Sequence, residues 1–402
     1  MYIYKAAVVG GGAMGGSIAQ VITFSGIPVV IKDIDEKAVQ KALKKVRSIY
    51  QSRVDKGKMS AHEIEPKIAL ASGTTGYDDF SDVDIVIEAV PEEMKIKKIV
   101  FQELDKVCPE STILASNTSA LSISEIASAT NRPEKIIGMH FFNPAHVMKL
   151  IEVIPGLQTS EDTVMDVLAF SESLRKLAVR VEECPGFLVN RLLMPYITES
   201  VIALQEGAAT AAEIDQAMVA FGMPMGPFTL SDMLGLDVCY KVAHIMENAY
   251  GPRMPVAALS RVLFEKGRLG QKSGQGFYDE DGSEKQLQDI IKELQRKEGF
   301  KKTAFSPERL LYLMVNEAVL VLQEKIAAAT DIDLAMMAGT GFPQEIGGPL
   351  KYADKVGLDT ILDGMETFKN ELGFRYWPAH MLKRMVAAGL LGEKTGRGFY
   401  TH

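Results

Sequence analysis

The chain has 402 residues, of which 47 % are hydrophobic and 24 % are charged, and its formal net charge is −8. This length predicts two or three domains, and the ordinary composition excludes extended disorder, collagen and a dedicated coiled coil. The acidic balance argues against a nucleic-acid partner. Cys108, Cys184 and Cys239 are widely separated, which argues against disulfides and a metal site and favours a reducing, cytoplasmic location.

The first 150 residues alternate short apolar runs with helical patterns. We predict strands at Lys5–Gly10, Pro28–Lys32, Val83–Val90, Thr112–Ser116 and Lys135–His140 and, between them, helices such as Glu36–Arg53 and Glu92–Lys106. Strands that alternate with helices indicate an α/β domain with a parallel sheet covered on both faces.

A G-x-G-x-x-G motif, Gly10-Gly11-Gly12-Ala13-Met14-Gly15, follows the first predicted strand and opens a helix. Its glycines allow a tight turn and close approach of a pyrophosphate, and the helix N-terminus offers N–H groups to the phosphates. Asp33 ends the next strand, where a carboxylate can accept both ribose hydroxyls. The pattern predicts a dinucleotide site that favours NAD, although Lys32 leaves NADP open; a plain flexible loop is the alternative.

The segment from Ala6 to Ile31 carries no charge and is long enough for a membrane span. Its glycine cluster, its polar residues and Pro28 do not suit a spanning helix or a signal peptide. We therefore expect no membrane association.

Basic residues dominate the segment from Lys41 to Lys58, where Asp55 is the only acidic residue. Such a local excess can bind the anionic part of a ligand, although a solvated helix face has the same pattern.

Two polar clusters follow later strands. Ser116-Asn117-Thr118-Ser119 could bond a substrate hydroxyl or a nicotinamide amide, or it could simply cap the next helix. His140 ends a predicted parallel strand, where ligands gather, and Glu152 could orient its imidazole. Histidine suits the removal of a hydroxyl proton near neutral pH, whereas a structural histidine is the alternative.

The pattern changes near Cys184-Pro185-Gly186, after which long helical periods dominate. Phe187–Glu206 predicts a strong helix with Asn190 near its start, and Ala212–Phe221, Leu234–Tyr250 and Ala257–Lys266 also look helical. Asn190 could point into a cleft or be an ordinary residue of a helix start.

An internal repeat occupies this helical part. The segments that match in order are Thr198–Glu206 with Asn316–Glu324, Glu213–Met218 with Asp331–Met336, Gly226-Pro227 with Gly348-Pro349, Gly235–Asp237 with Gly357–Asp359, and Gly270–Tyr278 with Gly392–Tyr400. We predict a Rossmann-type domain at 1–184 and two repeated all-α domains at 185–280 and 303–402, joined by the polar segment Asp279–Lys302.

Together these motifs resemble the L-3-hydroxyacyl-CoA dehydrogenase family, and the resemblance covers nearly the whole chain. The segments that carry it are the glycine motif, Glu88–Glu92, Ser116–Ser119, His140–Pro144, Lys149–Val153 and Pro185–Arg191, in the family's order.

The resemblance implies NAD-dependent, reversible oxidation of (S)-3-hydroxyacyl-CoA to 3-oxoacyl-CoA, in fatty-acid β-oxidation or butanoate-type metabolism. His140 would be the catalytic base, Glu152 its partner, Ser119 the contact to the substrate hydroxyl and Asn190 a residue near the thioester. The glycine motif, Asp33, Glu92, Lys97 and Asn117 would line the NAD site, and Lys56 in the basic segment would contact coenzyme A.

The resemblance leaves alternatives. A related dehydrogenase of free hydroxy acids or sugar acids would share His140 and Asp33 but need no basic arm, and a non-catalytic NAD-binding protein is a third reading. In the second helical copy Arg309 matches Arg191, but Glu308 replaces Asn190. We therefore expect one active site and a monomer whose copies fill each other's dimer interface, with a homodimer as the alternative.

Overall fold

The protein is described by a computed structural model that covers residues 2–402, and its chain divides into two compact units. The first unit ends at Phe187, and the second runs from Leu188 to His402. An α/β unit is followed by a wholly helical one, so the predicted fold class is confirmed. The finer boundaries at 184, 280 and 303 stay predictions.

One eight-stranded sheet forms the centre of the first unit, in the order β3-β2-β1-β4-β5-β6-β7-β8. Strands β1 to β6 are parallel in the order typical of dinucleotide-binding folds, whereas β7 runs antiparallel to β6. The strands are β1 Ala6–Val9, β2 Val29–Lys32, β3 Ala71–Thr74, β4 Ile85–Glu88, β5 Ile113–Ser116, β6 Ile136–Phe141, β7 Leu150–Pro155 and β8 Leu177–Arg180.

Helices cover both faces of this sheet. They are α1 Gly15–Phe24, α2 Glu36–Asp55, α3 Ala61–Ile68, α4 Met94–Val107, α5 Ile123–Ala127 and α6 Glu161–Ser173. Several begin at a side-chain cap; for example, Asp35 accepts the N–H of Ala38 at the start of α2. Ser60 and Glu63 form a capping box at the start of α3.

The two faces of β6 contact different helices. Met139 and Phe141 belong to the apolar core shared with α1, α2 and α6. Gly138 lies on the other face, where a Cβ atom would approach Ile123 of α5 to 2.9 Å. Side chains alternate along a strand, so His140 lies on the α5 face together with Gly138.

The sequence patterns missed three strands. β3 has the sequence Ala-Ser-Gly-Thr and is partly exposed at the sheet edge, so no apolar run marks it. The opposite edge strand, β8, is also only partly buried. β7 is apolar apart from the fully buried Glu152. This charged residue interrupts the apolar run by which a buried strand is recognised in a sequence.

The second unit repeats one order of helices. The first series is α7 Val189–Gln205, α8 Ala211–Phe221, α9 Pro227–Leu234, α10 Leu236–Tyr250 and α11 Ala258–Glu265. The second is α13 Pro307–Gln323, α14 Ala329–Thr340, α15 Pro349–Val356, α16 Leu358–Leu372 and α17 His380–Ala387. Between them, α12 Lys285–Glu298 lies in the segment that we predicted only as a polar connection; it buries Leu287, Ile291 and Leu294.

The repeated Gly-Phe-Tyr segments close each series onto a buried aspartate. Asp232 accepts the N–H groups of Phe277 and Tyr278, at 2.8 and 2.9 Å. Asp354 accepts those of Phe399 and Tyr400, both at 2.9 Å. The repeated motif therefore has a structural role in both copies.

No helix in residues 2–402 is long and apolar enough to cross a membrane.

Candidate active site

The glycine motif forms the turn between β1 and α1. Gly10 has a φ of +101°, and a Cβ there would lie 2.6 Å from the carbonyl oxygen of Ala89. At Gly15 a Cβ would lie 1.8 Å from the carbonyl oxygen of Gly10. Only glycine fits these two positions, because neighbouring backbone occupies the space that a side chain needs.

Gly12 differs, because nothing in the described chain lies within 4 Å of where its Cβ would be. Ala13 and Met14 lead from it into α1, whose N-cap Met14 makes no side-chain cap, and the first turn of α1 has no acidic residue. An uncapped helix N-terminus next to an open backbone surface fits the pyrophosphate of a dinucleotide.

Asp33 lies directly after β2 and faces the same turn. One carboxylate oxygen accepts the N–H of Gly11 at 2.6 Å, and the other accepts the N–H of Ile34 at 2.6 Å. The ammonium group of Lys32 lies over the ring of Tyr77, 4.6 Å from its centroid. The carboxylate therefore adjoins the glycine turn, as a ribose-binding acid requires.

His140 and Glu152 face each other across β6 and β7. They are directly paired in the antiparallel register, and Nδ1 of His140 lies 2.7 Å from Oε2 of Glu152. The Glu152 side chain is fully buried, and that of His140 is 9 % exposed. The rings of Phe142 and Phe187 lie 4.5 and 6.0 Å from the imidazole. This arrangement fixes the ring and directs Nε2 away from the carboxylate.

Asn117 connects the ends of β5 and β6, because its side-chain oxygen accepts the N–H of Phe141 at 2.8 Å. Its own N–H donates to the carbonyl oxygen of Glu88 at 2.8 Å. The residue thus holds the end of the histidine strand beside the end of β4.

Ser119 and Lys97 meet at Glu92. One oxygen of Glu92 accepts the N–H and the hydroxyl of Ser119, at 2.8 and 3.1 Å, and the hydroxyl of Thr118, at 2.6 Å. Its other oxygen lies 3.2 Å from Nζ of Lys97. Burial opposes ionisation of Glu92, but Lys97 and these hydrogen bonds outweigh burial and lower the pKa of its carboxyl.

Glu88, for which the sequence predicts no role, organises the strand ends. Its fully buried carboxylate binds Nζ of Lys97 at 2.8 and 3.1 Å, the hydroxyl of Ser116 at 2.6 Å and the N–H of Val90 at 2.7 Å. Its position at the end of an apolar strand was the sequence signal that could have identified it. Lys97 is itself only 1 % exposed, so the ion pair with Glu88 joins α4 to the sheet.

Asn190 and Lys56 belong to other elements of the chain. Asn190 is in the first turn of α7, in the second unit. Lys56 is exposed and follows the last residue of α2.

Lys56 belongs to a group that we call the basic cluster: Lys45, Arg53, Lys56, His146 and Lys176. Burial lowers the pKa of His146, and the positive charges of Lys45, Lys176, Arg53 and Lys56 lower it further. Its Nδ1 is buried without a hydrogen-bond partner in the described structure. Lys176 donates to the carbonyl oxygens of Ala145 and Met148.

In residues 2–402, no group of three or more His, Cys, Asp or Glu side chains could hold a metal ion.

Comparison with protein families gives two matches. Residues 5–184 match the NAD-binding domain of 3-hydroxyacyl-CoA dehydrogenase, and residues 186–280 and 305–402 both match the C-terminal domain of that enzyme. Among curated proteins, the alpha subunit of the fatty acid oxidation complex from Shewanella amazonensis is 38 % identical over 394 residues. That match covers 96 % of this chain and 56 % of the relative, so the chain spans little more than half of such proteins.

Two solved dehydrogenase structures are also similar to this chain. A 3-hydroxybutyryl-CoA dehydrogenase from Escherichia coli has a TM-score of 0.88 and 30 % identity, over 96 % of this chain and 99 % of the other. An (S)-3-hydroxybutyryl-CoA dehydrogenase from Ralstonia eutropha has a TM-score of 0.68 and 40 % identity, over 69 % of this chain and 99 % of the other. The second therefore lacks a counterpart for almost a third of this chain.

Proposed function

Because this chain belongs to the 3-hydroxyacyl-CoA dehydrogenase family, we propose that it oxidises (S)-3-hydroxyacyl-CoA reversibly to 3-oxoacyl-CoA with NAD. The observation that carries the proposal is the His140–Glu152 pair, at 2.7 Å, in a unit whose glycine turn fits a dinucleotide. Such a reaction serves fatty-acid β-oxidation or butanoate-type metabolism, in the cytoplasm.

The chemistry assigned to this chain is proton transfer and orientation. Nε2 of His140 takes the proton of the substrate's 3-hydroxyl while Nδ1 stays bound to Glu152. Bound NAD⁺ supplies the acceptor for the hydride that leaves C3. Glu152 holds the ring in one tautomer and balances the imidazolium that forms, because its carboxylate lies 2.7 Å from Nδ1.

Two further residues orient the substrate in this proposal. Ser119 contacts the 3-hydroxyl, and Glu92 holds Ser119 through both its N–H and its hydroxyl. Asn190 contacts the thioester end of the substrate; this role rests on the family pattern. Both residues act by alignment, which confines the reacting atoms to a productive geometry.

Different residues bind different parts of the dinucleotide in this proposal. Gly10, Gly12, Ala13, Met14 and Gly15 receive the pyrophosphate at the start of α1, and Asp33 binds the adenosine ribose. At the nicotinamide end are Asn117, Glu92 and Lys97. The buried Glu88 keeps Lys97 in place, because its carboxylate binds Nζ through both oxygens.

Coenzyme A binds through Lys56 and the basic cluster. All four charged groups that act on His146 are positive, and Nδ1 of His146 lacks a hydrogen-bond partner in the described structure. A phosphate group would neutralise this local excess in a chain whose net charge is −8.

The proposed oligomeric state is a monomer. The helical series pair reciprocally: Arg191 of the first binds Glu317 and Glu324 of the second, and Arg309 of the second binds Glu199 and Glu206 of the first. Reciprocal contacts between equivalent residues are the pattern of a two-fold dimer interface. The second copy then occupies the place that a partner subunit would take.

The test compares the wild type with His140→Gln, using acetoacetyl-CoA and NADH and following NADH absorbance. The variant should fold and bind NADH but lose about 10²- to 10⁴-fold in kcat, the range that general-base catalysis provides. Near-normal turnover in the variant contradicts the proposal. Parallel assays with free acetoacetate and a sugar acid address the related dehydrogenases. Only wild-type silence with every 3-oxoacyl-CoA and with both free acids leaves a non-catalytic binding protein.

A further inference from the structure

A cavity of about 750 Å³ lies in the first unit beside α5. Its wall includes Ala120 and Leu121, which directly follow Ser119, and the segment after β7. Phe187 also lines it, and the same ring lies 6.0 Å from the imidazole of His140. Phe187 therefore adjoins both the cavity and the imidazole, and the cavity lies on the face of the sheet that carries His140.

The charged groups around the cavity already have partners. Arg180 pairs with Glu161 and Glu182, each at 2.8 Å. Glu183 accepts the hydroxyl of Ser122 at 2.5 Å and that of Ser124. The carboxylates of Glu182 and Glu183 outnumber the one cation in the lining, Arg180, so the lining carries a net negative charge and disfavours an anionic ligand.

Apolar side chains share the lining with these polar groups. The apolar lining residues are Ala120, Leu121, Pro155, Leu157, Pro185 and Phe187. Leu157 is 91 % exposed, although leucine is an apolar side chain. An apolar ligand in the cavity would cover Leu157 and remove it from water.

The basic cluster and the cavity belong to opposite faces of the sheet. Helix α2, which contributes Lys45 and Arg53, packs in the core with α1 and α6, whereas the cavity adjoins α5. An acyl-CoA whose C3 lies at His140 would then have its nucleotide on one side and its alkyl end on the other.

We propose that this cavity receives the alkyl chain of the substrate beyond the 3-oxo carbon, so that Leu121 and Leu157 determine chain-length preference. The inference rests on the proposed dehydrogenase function. The size is suitable, because small-molecule sites commonly occupy about 300–1,000 Å³. Burial of each methylene is expected to raise kcat/KM up to about fourfold.

The experiment measures kcat/KM for acetoacetyl-CoA, 3-oxooctanoyl-CoA and 3-oxododecanoyl-CoA. In the wild type we expect kcat/KM to rise with chain length. Leu121→Trp fills the cavity and Leu157→Arg places a charge at its rim. Each should lower the ratio of the dodecanoyl to the acetoacetyl value by roughly tenfold, the effect of losing about two buried methylenes. Acetoacetyl-CoA turnover should stay within about twofold of the wild type.

Met165→Trp is the matched control, because Met165 is 56 % exposed on α6 and does not line the cavity. Leu157→Arg keeps the test decisive if Leu121→Trp does not fold, since an exposed substitution rarely destabilises a protein. An unchanged chain-length ratio in a folded Leu157→Arg variant overturns the inference, as does a wild type that rejects the longer substrates. Wild-type silence with acetoacetyl-CoA and the longer substrates instead refutes the proposed function itself.

Discussion

His140 and Glu152 are direct cross-strand neighbours in an antiparallel pair, and a 2.7 Å contact joins their side chains. The pairing exists because β7 reverses direction after six parallel strands. Parallel strands place their residues at one edge by separate crossovers, whereas a reversal brings two nearby segments into one register. The orientation of the imidazole thus depends on backbone hydrogen bonds as well as on the carboxylate.

Glu152→Gln should lower kcat by between about tenfold and 10⁴-fold, because glutamine fills the same space but cannot balance an imidazolium. Steady-state kinetics with acetoacetyl-CoA measure the effect. Glu110→Gln, which changes an exposed carboxylate of the same unit, is the control and should retain normal kcat. Equal kcat in Glu152→Gln and the wild type would show that the buried carboxylate serves folding alone.

Asp33→Ser should shift cofactor preference toward NADPH by about tenfold or more, since a 2′-phosphate would no longer meet a carboxylate. The ratio of kcat/KM with NADPH to that with NADH measures the shift. Glu36→Gln removes an exposed carboxylate from the start of α2 and should leave the ratio unchanged. A ratio that stays constant in Asp33→Ser would remove Asp33 from the ribose site.

Arg309→Met should destabilise the second unit by about 3–5 kcal/mol, because it leaves the buried Glu199 without Arg309, one of its cations. Thermal unfolding measures the change as a lower Tm. Lys383→Met removes an ion pair with Glu366 that is more than one-third exposed, and its effect should stay below about 1 kcal/mol. Equal effects of the two substitutions would contradict a structural role for the reciprocal pairing.

Solution mass tests the monomer. Light scattering during size-exclusion chromatography should give about 44.0 kDa, the mass of one chain. The tandem helical series would bury the surface through which a single-copy relative would pair. A mass near twice this value at micromolar concentration would mean that another surface joins two chains.

Stability should depend on pH through Asp333. Burial raises the pKa of this carboxyl to about 6, from an ordinary 3.8, and its hydrogen bonds with Tyr400, Leu350 and Lys351 only partly oppose that rise. The folded state therefore binds the proton more tightly than the unfolded state. The resulting stabilisation is full below pH 3.8 and is lost as the pH rises toward 6.

The loss should reach about 3 kcal/mol. Denaturant unfolding of the wild type and Asp333→Asn across this range measures it as a shrinking difference in unfolding free energy, because asparagine does not titrate. A difference that is constant with pH would show that Asp333 titrates normally in the folded protein.

Local patterns in the sequence predicted the glycine turn, the position of Asp33 and the strand that ends in His140. They did not predict that Glu152 lies in a strand, because one buried carboxylate interrupts an apolar run and only the register with β6 explains its presence. The role of Glu88 depends on Lys97 and Ser116, which come from another helix and another strand.

The basic cluster shows the same limit. Lys45, Arg53 and Lys56 form part of a visible basic segment, but His146 and Lys176 come from distant connections and carry no shared signal. α12 was missed because its many charged residues resemble those of a linker. Its three apolar residues are buried only through tertiary packing, which the local sequence does not reveal.

Arg191 and Arg309 each form ion pairs with glutamates of the other helical series, and this reciprocal arrangement has an evolutionary consequence. In a symmetric dimer every substitution occurs on both sides of the interface at once, whereas in a fused pair each side can change alone. Glu308 in place of Asn190 is such a one-sided change. The tether also makes the association independent of protein concentration, so specific activity should persist on dilution far below the level at which separate subunits part.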